Sequence, residues 1–503
     1  MKPDIQLRVI VLKPSKYAEG GDVERFRRGF MPNSTVPYLA SMTPPDIGGE
    51  SIEVRSIDEY VQTDLEYLGL LQKSETPTLL ALVGVQSHQF QRSLDLAAYA
   101  LNRGVEHCVI GGPHPMTCDT SAFHGKGLSF ALAEAETIWS AILSDALRGE
   151  LRPVYGSDQR WQAKLDAPVL VPPNRRDLQR YVFPMLGIYP ARGCPFTCNF
   201  CSVIKIAGQQ IRSQSIDVTL ASLRAAKIAG VQWIMFTSDN FNKYPDAVAL
   251  LQAMIEEDLK IPFFVQCDTQ IGRQADLIEL LGRAGCFQMF VGVESFSRKT
   301  LLAARKSQNH PKVYGEIVRL CRQHGIGTHF SNIIGFPEDT EASIREHLGT
   351  LQDLDPDVAS FYILTPIPGT DQYDDFLARG LITEENLDRF DGTCPTWRHP
   401  NLSADKLREL LFVCYKRFYN GGHLWRSLKR NRYSPHEVLG HLYYRVQAFN
   451  KTHPMSGGVR RIRLDSALQY ADLRKKRFDI EFAPLPESLV ALELDSGTSH
   501  ARK

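Results

Sequence analysis

Between residues 184 and 380 a short apolar run returns roughly every 30 residues, and amphipathic stretches fill the intervals. The runs are GIYPARGC, WIMFTSDN (233–240), FFVQCDT (263–269), MFVGVES (289–295), THFSNIIGF (328–336) and ASFYILTP (359–366). Segments such as VTLASLRAAKIAG and HPKVYGEIVRLCRQHG lie between them, with apolar residues three and four apart. Strands joined through helices in this way pair in parallel, because each helical crossover returns the chain to the end of the sheet from which it set out. The pattern predicts a partial or full (β/α)6 barrel over 184–380, with function on the loops that follow the strands.

A second, smaller unit precedes it. Residues 7–13 (LRVIVLK), 79–85 (LLALVGV) and 107–112 (HCVIGG) read as buried strands. The stretch SHQFQRSLDLAAYALNRG between the last two places Leu94, Leu96, Ala97, Ala100 and Leu101 at helical spacing. The expectation is a doubly wound α/β sheet over residues 1–150. Ligands on such sheets sit beyond the carboxyl ends of the strands. That puts Gln86, Ser87, His88 and the turn Gly111-Gly112-Pro113-His114-Pro115 at the mouth. Glycines there let a bulky ligand approach the backbone. Residues 151–183 are Pro-rich and read as a linker. After residue 380 the pattern becomes helical, giving a C-terminal helical region over 381–485 and a flexible tail over 486–503.

The composition, 43% hydrophobic and 23% charged with a net charge of +1, excludes a disordered or acidic solvating chain. No apolar run reaches the ~18 residues of a membrane span, and the first residues show no secretory leader. A cytoplasmic enzyme is expected. Between Lys416 and Asp479 about fifteen Lys and Arg face about four acids. Solvated helix faces and a surface for an anionic substrate, partner or membrane both remain open for that region.

Of ten cysteines, seven are scattered, several inside apolar runs where a free thiol acts as a small hydrophobe. The other three form Cys194-Pro-Phe-Thr-Cys198-Asn-Phe-Cys201. Three thiolates on one short loop suit a soft metal centre. Zinc would want a fourth Cys or His at finger-like spacing, and none follows. An iron–sulfur cubane can be held by three cysteines, with one iron left open. Of zinc and a cubane, the cubane fits better.

The cysteine loop after the first strand of a six-unit barrel, with Phe200 before its last cysteine, resembles the radical S-adenosylmethionine superfamily. The resemblance implies that Cys194, Cys198 and Cys201 hold a [4Fe–4S] cluster whose open iron is chelated by S-adenosylmethionine. It implies contacts to that cosubstrate from Phe200, Ser238, Asp239, Gln266, Asp268, Glu294, Asn332 and Gly335, with the backbone of Leu364–Pro366 bordering adenine. A strand-end carboxylate can equally be a helix cap. No residue receives a proton-transfer role.

The front unit is similar to the Rossmann-like cobalamin-binding module of cobalamin-dependent radical enzymes. The likeness is carried by LLALVGVQSHQF, HCVIGGPHPMT and the strand and acidic turn of LSFALAEAETI. It implies cobalamin contacts from Gln86, Ser87, His88, Gly111, Gly112 and Glu134. The module's Asp-x-His-x-x-Gly signature would fall near Pro14-Ser15-Lys16-Tyr17, where no histidine stands. His88 reads as a structural or tail-contacting residue rather than an axial ligand.

The resemblance as a whole implies a cobalamin-dependent radical methyltransferase. It would move a methyl group from S-adenosylmethionine, through methylcobalamin, to a carbon of a small organic or natural-product substrate. A flavodoxin- or ferredoxin-like electron donor is expected, and no nucleic-acid partner. The alternative is a radical enzyme of another reaction type, cyclisation or oxidation, with a degenerate cobalamin domain. A non-enzymatic iron–sulfur sensor using the basic tail is a third reading, without a recognisable nucleic-acid-binding motif to support it. Trp397, Trp425, Tyr443 and Tyr444 of the tail either close over substrate or pack ordinary helices.

Overall fold

The computed structural model describes residues 5–464 except 125–126, 159, 162–163, 166, 431–434 and 455–457. The end of the expected helical region, 465–485, and the expected tail over 486–503 lie outside the described residues.

The front sheet is built from β1 (Ile5–Lys13), β3 (Asp46–Ile47), β4 (Glu50–Asp58), β5 (Thr78–Leu82), β6 (His107–Gly111), β7 (Leu128–Ala131) and β8 (Val154–Tyr155). A short β2 (Phe26–Gly29) stands outside it. The order is β3-β4-β1-β5-β6-β7-β8, parallel except for β3. Alternation along the strands makes it two-sided. Ile10, Leu12, Leu80 and Leu82 pack with the helix Ser87–Asn102, whereas Leu7, Val9, Val11, Leu79 and Ala81 pack with the helices Thr35–Met42 and Ala135–Arg148. This is the expected doubly wound arrangement.

The second sheet contains β9 (Met185–Ile188), β12 (Trp233–Phe236), β13 (Phe263–Cys267), β14 (Cys286–Glu294), β15 (Gly327–Ile334) and β16 (Val358–Ile363). All six pair in parallel, in chain order, and β16 does not close onto β9. The barrel is therefore partial. Inside the β9–β12 connection, β10 (Ala191–Arg192) and β11 (Arg212–Ser213) pair antiparallel and tie off the cysteine-bearing loop at its base.

The open edge of β16 is covered by side chains. Tyr415 Oη accepts from the Phe361 N–H at 3.1 Å and donates to its carbonyl at 3.2 Å. Tyr419 Oη does the same for Ala359, at 3.0 and 2.8 Å. The pairing works because four residues of the helix Ala404–Phe418 rise about 6 Å, close to the ~6.6 Å between alternate strand residues. Further on, β17 (Gly458–Arg461) pairs with β2. The two sheets meet closely where Ser34 lies against Gly187 of β9, at which a Cβ would stand 1.8 Å from Ser34 Oγ. No helix among the described residues is long and apolar enough to cross a membrane.

Candidate functional site

The cysteine loop emerges from β10 and is held on several sides. The Cys194 N–H donates to the Gly208 carbonyl at 3.2 Å, and the Gly193 N–H to Asp239 Oδ2 at 2.7 Å. The Asn199 N–H reaches the Ala304 carbonyl at 3.2 Å, and the Asn199 carbonyl accepts from the Gln372 N–H at 3.0 Å. The Gln308 amide points at Cys198 Sγ, 3.6 Å away. Burial pushes the Cys201 thiol up to about 12 and also raises that of Cys194. Thiols that resist ionisation on their own become good ligands only when a metal cation displaces their protons. Soft donors in that environment fit an iron–sulfur cluster.

Around the loop, the predicted strand-end residues fall into two kinds. Some are not committed to the backbone scaffold. Ser238 is buried and its Oγ has no hydrogen-bond partner. Glu294, at the end of β14, sits in the left-handed region (φ 60°) beside a register shift, and its Oε1 lies 2.5 Å from Lys306 Nζ. Lys306 Nζ is also 5.7 Å from the centre of the Phe200 ring. Glu294 is the one non-glycine residue among the predicted strand-end positions with a positive φ, a strain on the order of 1–3 kcal/mol. Other residues are committed to the scaffold. Asp268 accepts from Asn240 Nδ2 at 2.8 Å and caps the following turn by accepting from the Gln270 N–H at 2.6 Å. Asn332 donates to the Phe330 and Ser360 carbonyls, and Gly335 donates to Asp339 Oδ2. Burial raises the Asp339 carboxyl to about 6. Gln266 is half-buried near the end of β13.

A cavity of about 260 Å³ opens beyond the ends of β5, β6 and β7. Its walls are apolar, with Val83, Val109, Ala131, Ile138, Trp139 and Ile142 among them, on the face covered by the helices Thr35–Met42 and Ala135–Arg148. Gly111, Gly112 and Glu134 line it as well. Gly112 has φ 133°, and a Cβ there would meet the Val85 nitrogen at 2.2 Å. Only glycine fits that bend. Gln86, Ser87 and His88 lie away from the cavity, at the start of the helix on the opposite face. Ser87 Oγ hydrogen-bonds His114 Nδ1 at 3.1 Å. His88 is enclosed between the loop after β1 and Phe390–Asp391, and burial with nearby Lys16 lowers it to about 3.

The loop after β1 has its polar groups in use. Lys13 Nζ donates to the Gly84 carbonyl and to Gln89 Oε1, the Ser15 N–H donates to Glu59 Oε2, and Lys16 pairs with Asp391. No histidine stands between Lys13 and Tyr17.

Arg192, Arg212 and Glu136, which sequence reasoning missed, join the predicted Glu134 and Asp239 between the cavity and the cysteine loop. Glu134 accepts from Arg212 at 2.6 and 2.8 Å and lies 3.4 Å from Arg192. Arg192 also pairs with Glu136 at 2.9 Å and lies over the rings of Tyr38 and Tyr189. Arg192 and Asp239 belong to the barrel side yet line the cavity, and Gly193 between them and Cys194 is bonded to Asp239. Cavity and cysteine loop thus share a wall.

Residues 188–351 match the family model described as Radical SAM superfamily. The chain carries a radical SAM domain. Across 83% of its length it is 25% identical to a bacteriochlorophyllide d C-8(2)-methyltransferase of Chlorobaculum tepidum, of which 93% is covered. Its fold is similar to a solved structure of the radical S-adenosylmethionine methyltransferase TsrM from Kitasatospora setae with cobalamin and a [4Fe–4S] cluster bound. That likeness has a TM-score of 0.65 at 15% identity and covers 89% of this chain and all of TsrM. The cobalamin-dependent radical enzyme OxsB, solved with aqua-cobalamin and S-adenosylmethionine, gives 0.61 at 15% identity, over 89% of this chain and 72% of OxsB.

Proposed function

We propose that this protein is a cobalamin-dependent radical S-adenosylmethionine methyltransferase acting on a carbon of a small organic substrate. The observation that carries the reading is the shared wall, since Arg192 and Asp239 border the apolar cavity while flanking the base of the cysteine loop. Two reaction centres held this close react as one molecule rather than by diffusion.

When bound, the [4Fe–4S] cluster supplies reducing power and an open iron, and S-adenosylmethionine with cobalamin supplies the methyl group. Cys194, Cys198 and Cys201 would hold the cluster. Ser238, with its free hydroxyl, and the Glu294–Lys306 pair are the groups placed to bind the charged methionyl end and the ribose of the cosubstrate. Phe200, packed edge-on against Phe336 at 6.3 Å, shields the loop from water. Asp239, Gln266, Asp268, Asn332 and Gly335 support this pocket from the strand ends, Asp268 through the backbone it caps.

On the front side, the cavity is sized for one flat bicyclic ring and would take the dimethylbenzimidazole tail of cobalamin, with Gly111 and Gly112 permitting close approach. Glu134 serves by holding Arg212 and Arg192 across the junction. With every polar group after β1 engaged elsewhere and His88 kept neutral off the cavity, the chain offers the cobalt no histidine there. The intact cavity speaks against a degenerate module, and with it against a cyclase or oxidase that merely retains the front sheet. A flavodoxin- or ferredoxin-like protein would deliver electrons.

The test is anaerobic reconstitution followed by desalting. One corrin should stay with each chain. Methyl label from S-adenosylmethionine should enter a product only when corrin is present, across a panel of tetrapyrroles, hopanoid-like lipids and aromatic amino-acid derivatives. Corrin lost on desalting, or methylation without it, overturns the reading.

A further inference from the structure

The helix Pro435–Phe449 is amphipathic in an unusual sense, because its outward face is the apolar one. His441, Tyr444, Gln447 and Ala448 are buried, whereas Leu439, Leu442, Val446 and Phe449 are between 45% and 77% exposed. At 3.6 residues per turn those four positions fall within an arc of about 80°, a continuous stripe. Trp425, on the preceding helix Gly421–Arg430, is 53% exposed.

Cations flank this region. Lys416 Nζ lies 5.8 Å from the Phe449 ring and Lys429 Nζ 5.0 Å from the Trp425 ring, their stems along apolar surface and their charges at its rim. The β2–β17 ribbon is tied to the same helix by Gln447 Nε2, which donates to the Gly458 carbonyl at 2.9 Å. In its antiparallel register Val459 faces Arg28 and Arg461 faces Phe26, which sets Arg27 opposite Arg460. Arg27, Arg28, Arg460 and Arg461 are all exposed, and Arg460 is held at φ 58°. Like charges facing each other across a ribbon oppose its formation. Such a ribbon makes sense where an anionic surface neutralises it. From 416 to 463 the sequence has eleven Lys and Arg and one acid, Glu437. Three of the eleven are paired, Arg426 and Arg430 with Asp355 and Asp357 and Arg463 with Asp22, and the other seven described ones form no ion pair among the described residues.

We propose that the stripe Leu439–Leu442–Val446–Phe449 with its basic rim and the Arg27/Arg460 ribbon docks on an anionic lipid bilayer. A second copy of the chain is a poor occupant, since it would bring an equally basic rim against this one. A bilayer carrying acidic headgroups accepts the apolar stripe below the headgroups and the guanidiniums among them. The inference does not depend on the methyl-transfer reading.

The experiment is flotation of the full chain with vesicles of phosphatidylcholine alone and of equal parts phosphatidylcholine and phosphatidylglycerol. Binding should require phosphatidylglycerol and weaken at high salt. Arg27→Gln with Arg460→Gln should lower partitioning by roughly fivefold per charge, the equivalent of about 1 kcal/mol each. Leu442→Glu with Val446→Glu should abolish it. Melting and iron content of both variants report that the fold persists. Failure of the wild-type chain to bind the acidic vesicles overturns the proposal. So does binding that the Leu442/Val446 variant retains, or a dimer in light scattering that this variant dissolves.

Discussion

The molecule contains two parallel sheets whose strand ends face a common junction, and they equip those ends in opposite ways. The front sheet ends in glycines and small apolar residues, Gly84, Gly111, Gly112 and Ala131, around an apolar slot. The barrel sheet ends in Ser238, Asp239, Asp268, Glu294 and Asn332, a ring of polar and charged groups. A wall of glycine and alanine makes room and excludes water, which suits a large rigid ring that brings its own chemistry. Polar strand ends grip a small charged molecule and fix its orientation. The contrast teaches that one parallel sheet can be specialised for volume and another for charge, while the same rule of function at strand ends holds for both.

Cys198→Ala breaks the comparison on the barrel side and carries the largest expected effect. It should remove the iron and bring turnover below detection while corrin still binds. Iron and sulfide content, read beside corrin absorbance after desalting, checks both halves. Loss of corrin together with iron would show that the two sheets do not act separately.

Glu59→Ala tests whether the front sheet stands by itself. Its carboxylate is buried between Arg25 and Arg92, 3.0 and 3.1 Å away, with Tyr67 donating to it. Burial alone would raise its pKa, but the two guanidiniums outweigh that and hold it at about 2. Removing the acid strands two buried cations, at a cost of about 3–5 kcal/mol in chemical denaturation. The pH dependence has a definite sign. Because the folded value lies below the usual 4.5, this contribution is fully present above pH 4.5 and is lost as pH falls toward 2. The variant should lose that acid slope. An unchanged slope would assign acid sensitivity to other carboxylates.

Ala131→Phe narrows the slot without touching the cysteine loop. Overfilling a packed wall costs about 1–3 kcal/mol, so corrin retention should weaken by about fivefold to 150-fold. Iron content should stay as in the wild type. Equal loss of both would mean that the shared wall transmits the change through Arg192.

Much of this comparison was legible in the chain, and the reasons differ by element. Six barrel strands were visible because each is a short apolar run bounded by helical periodicity, a local signal. The cysteine loop was visible from spacing alone. β4 was not, since ESIEVRSID is half exposed and mixes charge with its apolar residues. The bridge from Glu134 to Arg212 joins residues 78 apart, and no local pattern announces such a pair. Lys306 lies in a short loop after Arg305, and its role depends on Glu294 bending back toward it. The Gln86–His88 segment opens the helix after β5, but which face of the sheet holds the slot is set by the crossing helices. Trp397 and Tyr444 resolve toward packing. Trp397 is buried and its indole donates to the Leu364 carbonyl at 3.0 Å, and Tyr444 stacks on Tyr419 at 4.7 Å.

The smallest effect concerns the edge at which the barrel stays open. Periodicity marks Tyr415 and Tyr419 as buried helix positions, but only the geometry of β16 gives their hydroxyls work. Each oxygen serves one strand N–H and one carbonyl, so Tyr415→Phe strands the Phe361 N–H, while His453 Nε2 still reaches the Phe361 carbonyl at 2.7 Å. Tyr419→Phe deprives both Ala359 groups, and no second side chain among the described residues reaches them. A buried unsatisfied backbone group costs about 1–3 kcal/mol. Tyr419→Phe should therefore destabilise the protein more than Tyr415→Phe, both within that range, by urea denaturation. The double variant should add nearly linearly if the two hydroxyls act on separate residues, and hydrogen exchange should speed up at the Ala359 and Phe361 amides but not across β14. Equal exchange in all three variants would mean that the edge is protected by the helix as a body rather than by its two phenols.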